Sequence, residues 1–230
     1  MPSYDLYRSP LLSATACLKD GRVRVESHGP LALIPAVRAA LEMLDCQPAI
    51  SADPSSLCLS TWLPPVPGRA FRRQAESRIK ALFGVRTPDQ VTISVTEECP
   101  NRCAHCALPD SGRRLHLEPD RAEDLIRQVL DMGTTHVIFD GGEPALYREL
   151  PRLVGSVDDR AISTLFTSGS GFTAGLARRL KDAGLYAVHI SLDSPVAEEH
   201  DSMRGRQGVF DDAMGAARGA LSAGLLVDLY

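Results

Sequence analysis

From residue 87 onward the chain repeats one pattern, a short β-branched or apolar run followed by an amphipathic helix. That pattern restricts the fold more than any other feature. Residues 91–95, 136–139, 162–166, 186–192 and 225–229 read as strands, and 119–132, 150–157, 173–183 and 210–223 as helices. The helix limits carry their own signals. Pro119 suits a first turn, Gly133 lies past an end, Thr173 can cap, and Gly184 can stop. Strands alternating with helices imply a parallel sheet, open or closed into a barrel. In either form the loops after the strands' C-terminal ends carry the chemistry.

Composition narrows the class. The 230 residues are 44% apolar and 23% charged, which excludes disorder, collagen and coiled coil for the whole chain. No run of about 18 apolar residues occurs, so no spanning helix is expected. The opening residues lack a basic segment followed by a long apolar core, so no signal peptide is expected and the location reads as cytoplasmic. The net charge of −4 is too mild to imply a nucleic-acid or membrane partner. It hides an asymmetry, however. Residues 1–86 hold 11 Lys+Arg and 7 Asp+Glu, a balance of +4, whereas 87–230 hold 14 and 22, a balance of −8. The break marks a small α+β region at 1–86 ahead of the repeating region at 87–230.

In the first region, Asp20-Gly21 between alternating runs signals a hairpin. Residues 30–44 read as one helix with Leu33, Val37, Leu41 and Leu44 on a stripe. Pro64, Pro65 and Pro67 make 47–68 an extended connector, with Trp62 as its anchor. Residues 70–83 read as a second helix, with Phe71, Ala75, Ile79 and Leu82 on one face and Gly84 as its stop. Arg69, Arg72, Arg73, Arg78 and Lys80 occupy its other faces. A solvated basic face is the favoured reading, and a docking surface for an anionic substrate or an electron donor is the sharper one.

Six cysteines remain. In a reducing compartment, clustered cysteines bind metal or do chemistry more often than they pair. Cys17, Cys46 and Cys58 are scattered among apolar neighbours and read as buried thiols. Cys99, Cys103 and Cys106 fall in one loop after the first strand of the repeat. Thiolates are soft ligands for iron–sulfur clusters and zinc. Three of them leave a four-ligand site one short, open to a substrate. Structural zinc with His105 or His116 as fourth ligand is the competing reading. Asp140-Gly141-Gly142-Glu143-Pro144 follows the next strand. Its glycines admit a ligand close to the backbone, and a carboxylate beside them can receive an ammonium group. An ordinary strand-to-helix turn is the alternative. Ser191-Leu192-Asp193-Ser194 ends the fourth strand of the repeat, where hydroxyl and carboxylate groups suit a ribose or a helix cap. Thr167-Ser168-Gly169 is a weaker signal of the same kind.

Together these segments resemble the radical S-adenosylmethionine (radical SAM) superfamily: a C-x-x-x-C-x-x-C loop, then GGEP, then S-L-D on the fourth strand. The stretch from His200 to Asp211 is similar to one in the cofactor- and peptide-modifying branch. The resemblance covers about residues 88–230, and its order is more specific than any part. It implies a partial (β/α)6-type TIM barrel and a 4Fe-4S cluster held by Cys99, Cys103 and Cys106. The remaining iron would bind the amino and carboxylate groups of SAM. His105 would lie beside the adenine, Gly141, Gly142 and Glu143 would hold the methionine ammonium, and Ser191 with Asp193 would approach the ribose. Arg204 would pair with the SAM carboxylate. The implied reaction is reductive cleavage of SAM to a 5′-deoxyadenosyl radical that abstracts hydrogen from a peptide, a cofactor precursor or a lipid precursor, with reduced flavodoxin or ferredoxin as electron donor. A radical SAM methyltransferase is the runner-up enzyme, and a non-catalytic zinc- or cluster-binding interaction module is the reading from another class.

Two departures qualify the resemblance. Ser168 stands where relatives often have Asn, and no cysteine follows Cys106 to build an auxiliary cluster. A six-unit barrel at about 30–35 residues per unit needs roughly 180–210 residues. The repeating region therefore reads as C-terminally incomplete, ending within its fifth strand.

Overall fold

The computed structural model describes residues 2–108 and 114–230. The chain divides into two compact units. One takes the residues through Asp89 together with Met132–Thr135 and Asp159–Ala161, and the other takes Gln90–Asp131, His136–Asp158 and Ile162–Tyr230.

In the first unit, β1 (Ser3–Ser9), β2 (Leu12–Lys19) and β3 (Arg22–His28) form an antiparallel sheet in that order. Asp20 and Gly21 both have positive φ, 54° and 73°, as the two central residues of a tight hairpin turn require. β1 adds a strand to the hairpin expected from the sequence. Tyr4 and Leu6 on it alternate inward and join Ala14, Ala16 and Val23 in the core.

The helix expected over 30–44 is two elements. Pro30–Leu33 is a single 3-10 turn, and α1 spans Pro35–Leu44. Pro35 forces Ile34 into extended backbone (ψ 123°), which breaks the run and leaves Leu33 82% exposed. Val37 is buried, and Leu41 and Leu44 pack on the core, so the stripe survives only beyond the break. In the connector, β4 (Ser51–Ala52) pairs with β5 (Leu57–Cys58), and Leu57 exchanges backbone hydrogen bonds of 2.7 and 2.9 Å with Val66. Leu57 and Val66 are fully buried and anchor the segment, whereas Trp62 is only half-buried.

On α2 (Arg69–Ala81), Phe71 is buried but Leu82 is exposed. Ser77 is buried instead, within 2.6 Å of the Thr87 hydroxyl and 2.9 Å of Asp89 Oδ1. A helix end fastened by hydroxyls does not need Leu82 in the core. Its basic face is partly paired, Arg69 with Asp159, Arg72 with Glu76 and Arg78 with Asp89. Such exposed pairs contribute under about 1 kcal/mol each. None of the six cysteines is in a disulfide. Of the three scattered ones only Cys58 is buried; Cys17 is half-buried and Cys46 exposed, because Cys46 sits at a positive-φ corner after α1 rather than on a core face.

The second unit is a five-stranded parallel sheet flanked by helices. Along the chain it runs β6 (Gln90–Thr96), α3 (Pro119–Met132), β7 (His136–Gly141), α4 (Leu150–Gly155), β8 (Ile162–Thr167), α5 (Ala174–Asp182), β9 (Ala187–Ile190), α6 (Ala197–Arg204), α7 (Val209–Ser222) and β10 (Leu226–Leu229). The spatial order is the chain order, β6-β7-β8-β9-β10, as successive βα crossovers dictate. Only α6 is absent from the sequence reading, since Ala197–Arg204 has no apolar stripe to announce it.

Register sorts the strand residues by face. Ile93, Phe139, Leu165 and Val188 lie side by side across four strands and are at most 3% exposed. With Ala122, Ile126 and Leu130 of α3 and Ala213, Ala216 and Ala220 of α7 they belong to the buried set of this unit. Burying one such Leu or Ile side chain stabilises by about 1.5–3 kcal/mol. The next row along, Ser94, Asp140, Phe166, His189 and Asp228, belongs to the opposite face. Exposure varies along this row: Ser94 is exposed, Asp140, Phe166 and Asp228 are half-buried, and His189 is fully buried. No helix among the described residues is long and apolar enough to cross a membrane.

Candidate functional site

Each segment singled out in the second unit follows the C-terminal end of a strand. The cysteine loop follows β6, Gly141-Gly142-Glu143 closes β7, Thr167-Ser168-Gly169 closes β8, and Ser191-Leu192-Asp193 follows β9. Because the sheet order is the chain order, the four loops are neighbours along one edge.

The cysteine loop is held on two sides. At its base, Gly142 N–H donates to Thr96 O and Glu143 N–H to Glu98 O, both at 2.7 Å. At its tip, Arg102 N–H donates to Arg204 O and Ala104 N–H to Met203 O, both at 2.9 Å. These contacts explain the glycines differently from the sequence reading, which expected room for a ligand. A Cβ on Gly141 would lie 2.3 Å from Thr96 O, and one on Gly142 2.5 Å from Glu98 O. The chain itself makes the close approach. Gly205 plays the same part at the tip, with φ +65° and a Cβ position 2.2 Å from Arg102 O.

Cys99 and Cys103 are half-buried, and Cys106 and His105 are exposed. Burial, and then the charges of Glu143, Cys103 and Cys106, push the Cys99 thiol up. Arg204 Nη1 lies 3.8 Å from Cys103 Sγ. Among the described residues no three His, Cys, Asp or Glu side chains are already gathered around a point that could hold a metal ion. Metal binding would draw the thiols in from one short loop, as is usual where ligation and local folding are coupled. His116, the alternative zinc ligand, is engaged elsewhere: its Nδ1 is 2.9 Å from the Thr96 hydroxyl and its Nε2 3.9 Å from Glu98 Oε2.

Glu143 is fully buried, and burial pushes its carboxyl up. Four donors oppose that shift. Thr167 Oγ1 (2.6 Å) and Ala145 N–H (3.0 Å) donate to Oε1, and Ser168 N–H (2.9 Å) and Ser168 Oγ (2.5 Å) donate to Oε2. The carboxylate thus joins the loops after β7 and β8 and has its lone pairs spent. Asp140, next to the glycines, is half-buried with its carboxyl raised by burial, and accepts Gly141 N–H at 2.7 Å.

Arg204 and Asp193 come together. Nη2 donates to Asp193 Oδ1 at 3.0 Å, and Nε lies 2.6 Å from Oδ2 without hydrogen-bond alignment, an ion pair whose side chains are 11% and 21% exposed. His200, fully buried, accepts Asp193 N–H on Nδ1 at 3.1 Å, while Asp201 accepts the N–H groups of Gly208 (2.6 Å) and Phe210 (2.8 Å). Ser191 is half-buried, and its N–H continues the ladder to Thr167 O.

Sequence reasoning missed Asn101 and Arg206. Asn101 is 9% exposed and makes hydrogen bonds to Ser168 and Arg206. The only signal was a polar residue midway between two cysteines, and its partners lie 67 and 105 residues away.

A family model described as the radical SAM superfamily matches residues 93–230. The chain belongs to that superfamily. It is 29% identical over 142 residues to the Fe-coproporphyrin III synthase of Methanosarcina barkeri, covering 60% of this chain and 35% of that protein. It is 29% identical over 160 residues to the PqqA peptide cyclase of Rhizobium meliloti, covering 68% and 42%. The chain therefore spans about two fifths or less of these relatives. In three dimensions it is similar to Streptococcus suis SuiB bound to its precursor peptide SuiA, with TM-score 0.56 and 19% identity over 68% of this chain and 36% of that one. It is also similar to anSMEcpe with bound AdoMet and a peptide, with TM-score 0.52 and 20% identity over 61% and 42%. At these identities the likeness is one of fold, the α/β partial TIM barrel expected from the sequence.

Proposed function

We propose that this chain binds a 4Fe-4S cluster through Cys99, Cys103 and Cys106 and SAM beside it, as the reductive SAM-cleaving part of a cytoplasmic enzyme. The observation that carries this reading is the adjacency of four motif-bearing loops at the C-terminal ends of consecutive parallel strands, β6 to β9. The donor set fits the cluster: three soft thiols on one loop, one of them beside a guanidinium, and His116 held away. Bound there, the pair supplies one-electron cleavage of SAM to methionine and a 5′-deoxyadenosyl radical for hydrogen abstraction.

The chain's own residues would position and enclose. The carbonyls of the Gly141-Gly142 turn would receive the methionine ammonium, with Glu143 bracing the turn from below. Arg204 would offer its remaining donor capacity to the SAM carboxylate while Asp193 fixes its fork. Ser191 would meet the ribose and exposed His105 the adenine. The partly accessible polar side chains of Ser94, Asp140 and Asp228 on this face would meet the substrate. A peptide is the favoured substrate, ahead of a cofactor precursor and a lipid precursor, because PqqA peptide cyclase and SuiB are named for peptide partners. Reduced flavodoxin or ferredoxin is the proposed electron source.

Anaerobic reconstitution with iron and sulfide, then dithionite and SAM, tests the reading. It expects a brown protein with about four irons per chain. It also expects 5′-deoxyadenosine from the unaltered chain and none from Cys103→Ala. A colourless protein with one zinc, or an equal yield from Cys103→Ala, would overturn it.

A further inference from the structure

One unbroken line of hydrogen bonds crosses the site from a cation to the buried carboxylate. Arg206 Nε donates to Asn101 Oδ1 at 2.7 Å. Asn101 Nδ2 donates to Ser168 Oγ at 2.9 Å, and Ser168 Oγ donates to Glu143 Oε2 at 2.5 Å. Every donor points the same way, so each bond polarises the next. A branch fixes the cation: Arg206 Nη2 donates to Ser170 Oγ at 2.8 Å and pairs with Asp212, which also accepts from Ser170 Oγ at 3.1 Å. The line joins the loops after β6, β7 and β8 to the corner between α6 and α7. Arg206 can only donate, so it dictates which way the Asn101 amide faces.

We propose that Asn101 and Arg206 are positioning residues that fix the middle of the cysteine loop over the Gly141-Gly142-Glu143 turn, and thereby the affinity for SAM. The inference rests on the cluster-and-SAM reading above. All three cysteines lie on one loop, so cluster loading does not depend on where that loop sits relative to the turn. A SAM molecule bridging cluster and turn does depend on it. When the line is cut the loop keeps its tip anchors at Arg204 O and Met203 O, and its base stays bonded to the turn through Thr96 O and Glu98 O, so only the middle of the loop, at Asn101, is released.

The test compares Asn101→Leu, Arg206→Gln and Arg206→Lys with the unaltered chain after reconstitution. It measures iron content, melting temperature, SAM affinity by equilibrium dialysis, and the change in the reduced cluster's electron paramagnetic resonance spectrum on adding SAM. The expected result is full iron in all variants with SAM affinity about tenfold weaker in Asn101→Leu and Arg206→Gln, the scale of one charge-assisted hydrogen bond. Both should show a blunted spectral response to SAM, and Arg206→Lys should regain most of each. Affinity within twofold of the unaltered chain would overturn the proposal, as would loss of iron in the two variants, which would make the pair a cluster-loading device. An unaltered chain that takes up iron but not SAM, or neither, would overturn the underlying reading along with it.

Discussion

Replacing Gly205 with alanine should destabilise the second unit far more than the same change at Gly208, three residues away. Both glycines have positive φ, 65° and 85°, so both substitutions incur the left-handed penalty of about 1–2 kcal/mol for a residue with a Cβ. Their surroundings differ. A Cβ on Gly208 meets nothing within 4 Å, whereas one on Gly205 would stand 2.2 Å from Arg102 O and 2.9 Å from Arg102 C. Relief requires the backbone of the cysteine loop to retreat by about 1 Å, since real Cβ contacts begin near 3.0–3.4 Å. That retreat strains the 2.9 Å bonds from Arg102 N–H to Arg204 O and from Ala104 N–H to Met203 O. Losing them costs about 0.5–1.5 kcal/mol each. The sum for Gly205→Ala is about 2–5 kcal/mol, against about 1–2 for Gly208→Ala. Urea denaturation followed by circular dichroism measures both, and hydrogen exchange at Arg102 and Ala104 locates the damage. Equal midpoints for the two variants, or unchanged exchange at those amides in Gly205→Ala, would refute the reasoning.

Burial, and secondarily the charge of His189, lowers the His136 pKa to about 4. The unfolded chain therefore binds the extra proton first, and stability should be full above the ordinary value near 6.5 and fall as pH drops towards 4. The upper bound is about 3 kcal/mol, and His136→Gln, which can keep the contact with Thr164, should flatten that part of the stability profile. A profile from pH 7 to 4 with the same slope in the variant would contradict this. In the first unit, Leu57→Ala removes a fully buried side chain and should cost about 2–5 kcal/mol. Tryptophan fluorescence from Trp62 during urea unfolding reads that loss, and a midpoint unchanged from the parent would show that Leu57 is not the connector's anchor.

The alternation of strand and helix from residue 87 was legible because each element buries a face at its own period: α3 places Ala122, Ile126, Val129 and Leu130 inward, and every strand is short and β-rich. The positions of the three cysteines, the Gly-Gly-Glu turn and the Ser-Leu-Asp segment at strand ends were equally local facts. What the sequence misplaced was also local in cause. One helix over 30–44 fails because Pro35 excludes helical backbone at Ile34, and Leu82 leaves the core because hydroxyls at Ser77 and Thr87 finish that surface. Asn101, Arg206 and the Thr167 and Ser168 donors on Glu143 were not legible, since hydrogen bonds between residues 24 to 105 positions apart leave no periodicity. The sequence reading had the glycines of the turn admit a ligand to the backbone; only packing brings the carbonyls of Thr96 and Glu98 against them. By itself, then, the sequence determined the order of elements and the residues at strand ends, because propensity and period act over a few residues. The tertiary structure alone decided which of those residues face one another, because a parallel sheet juxtaposes loops that the chain separates by whole βα units.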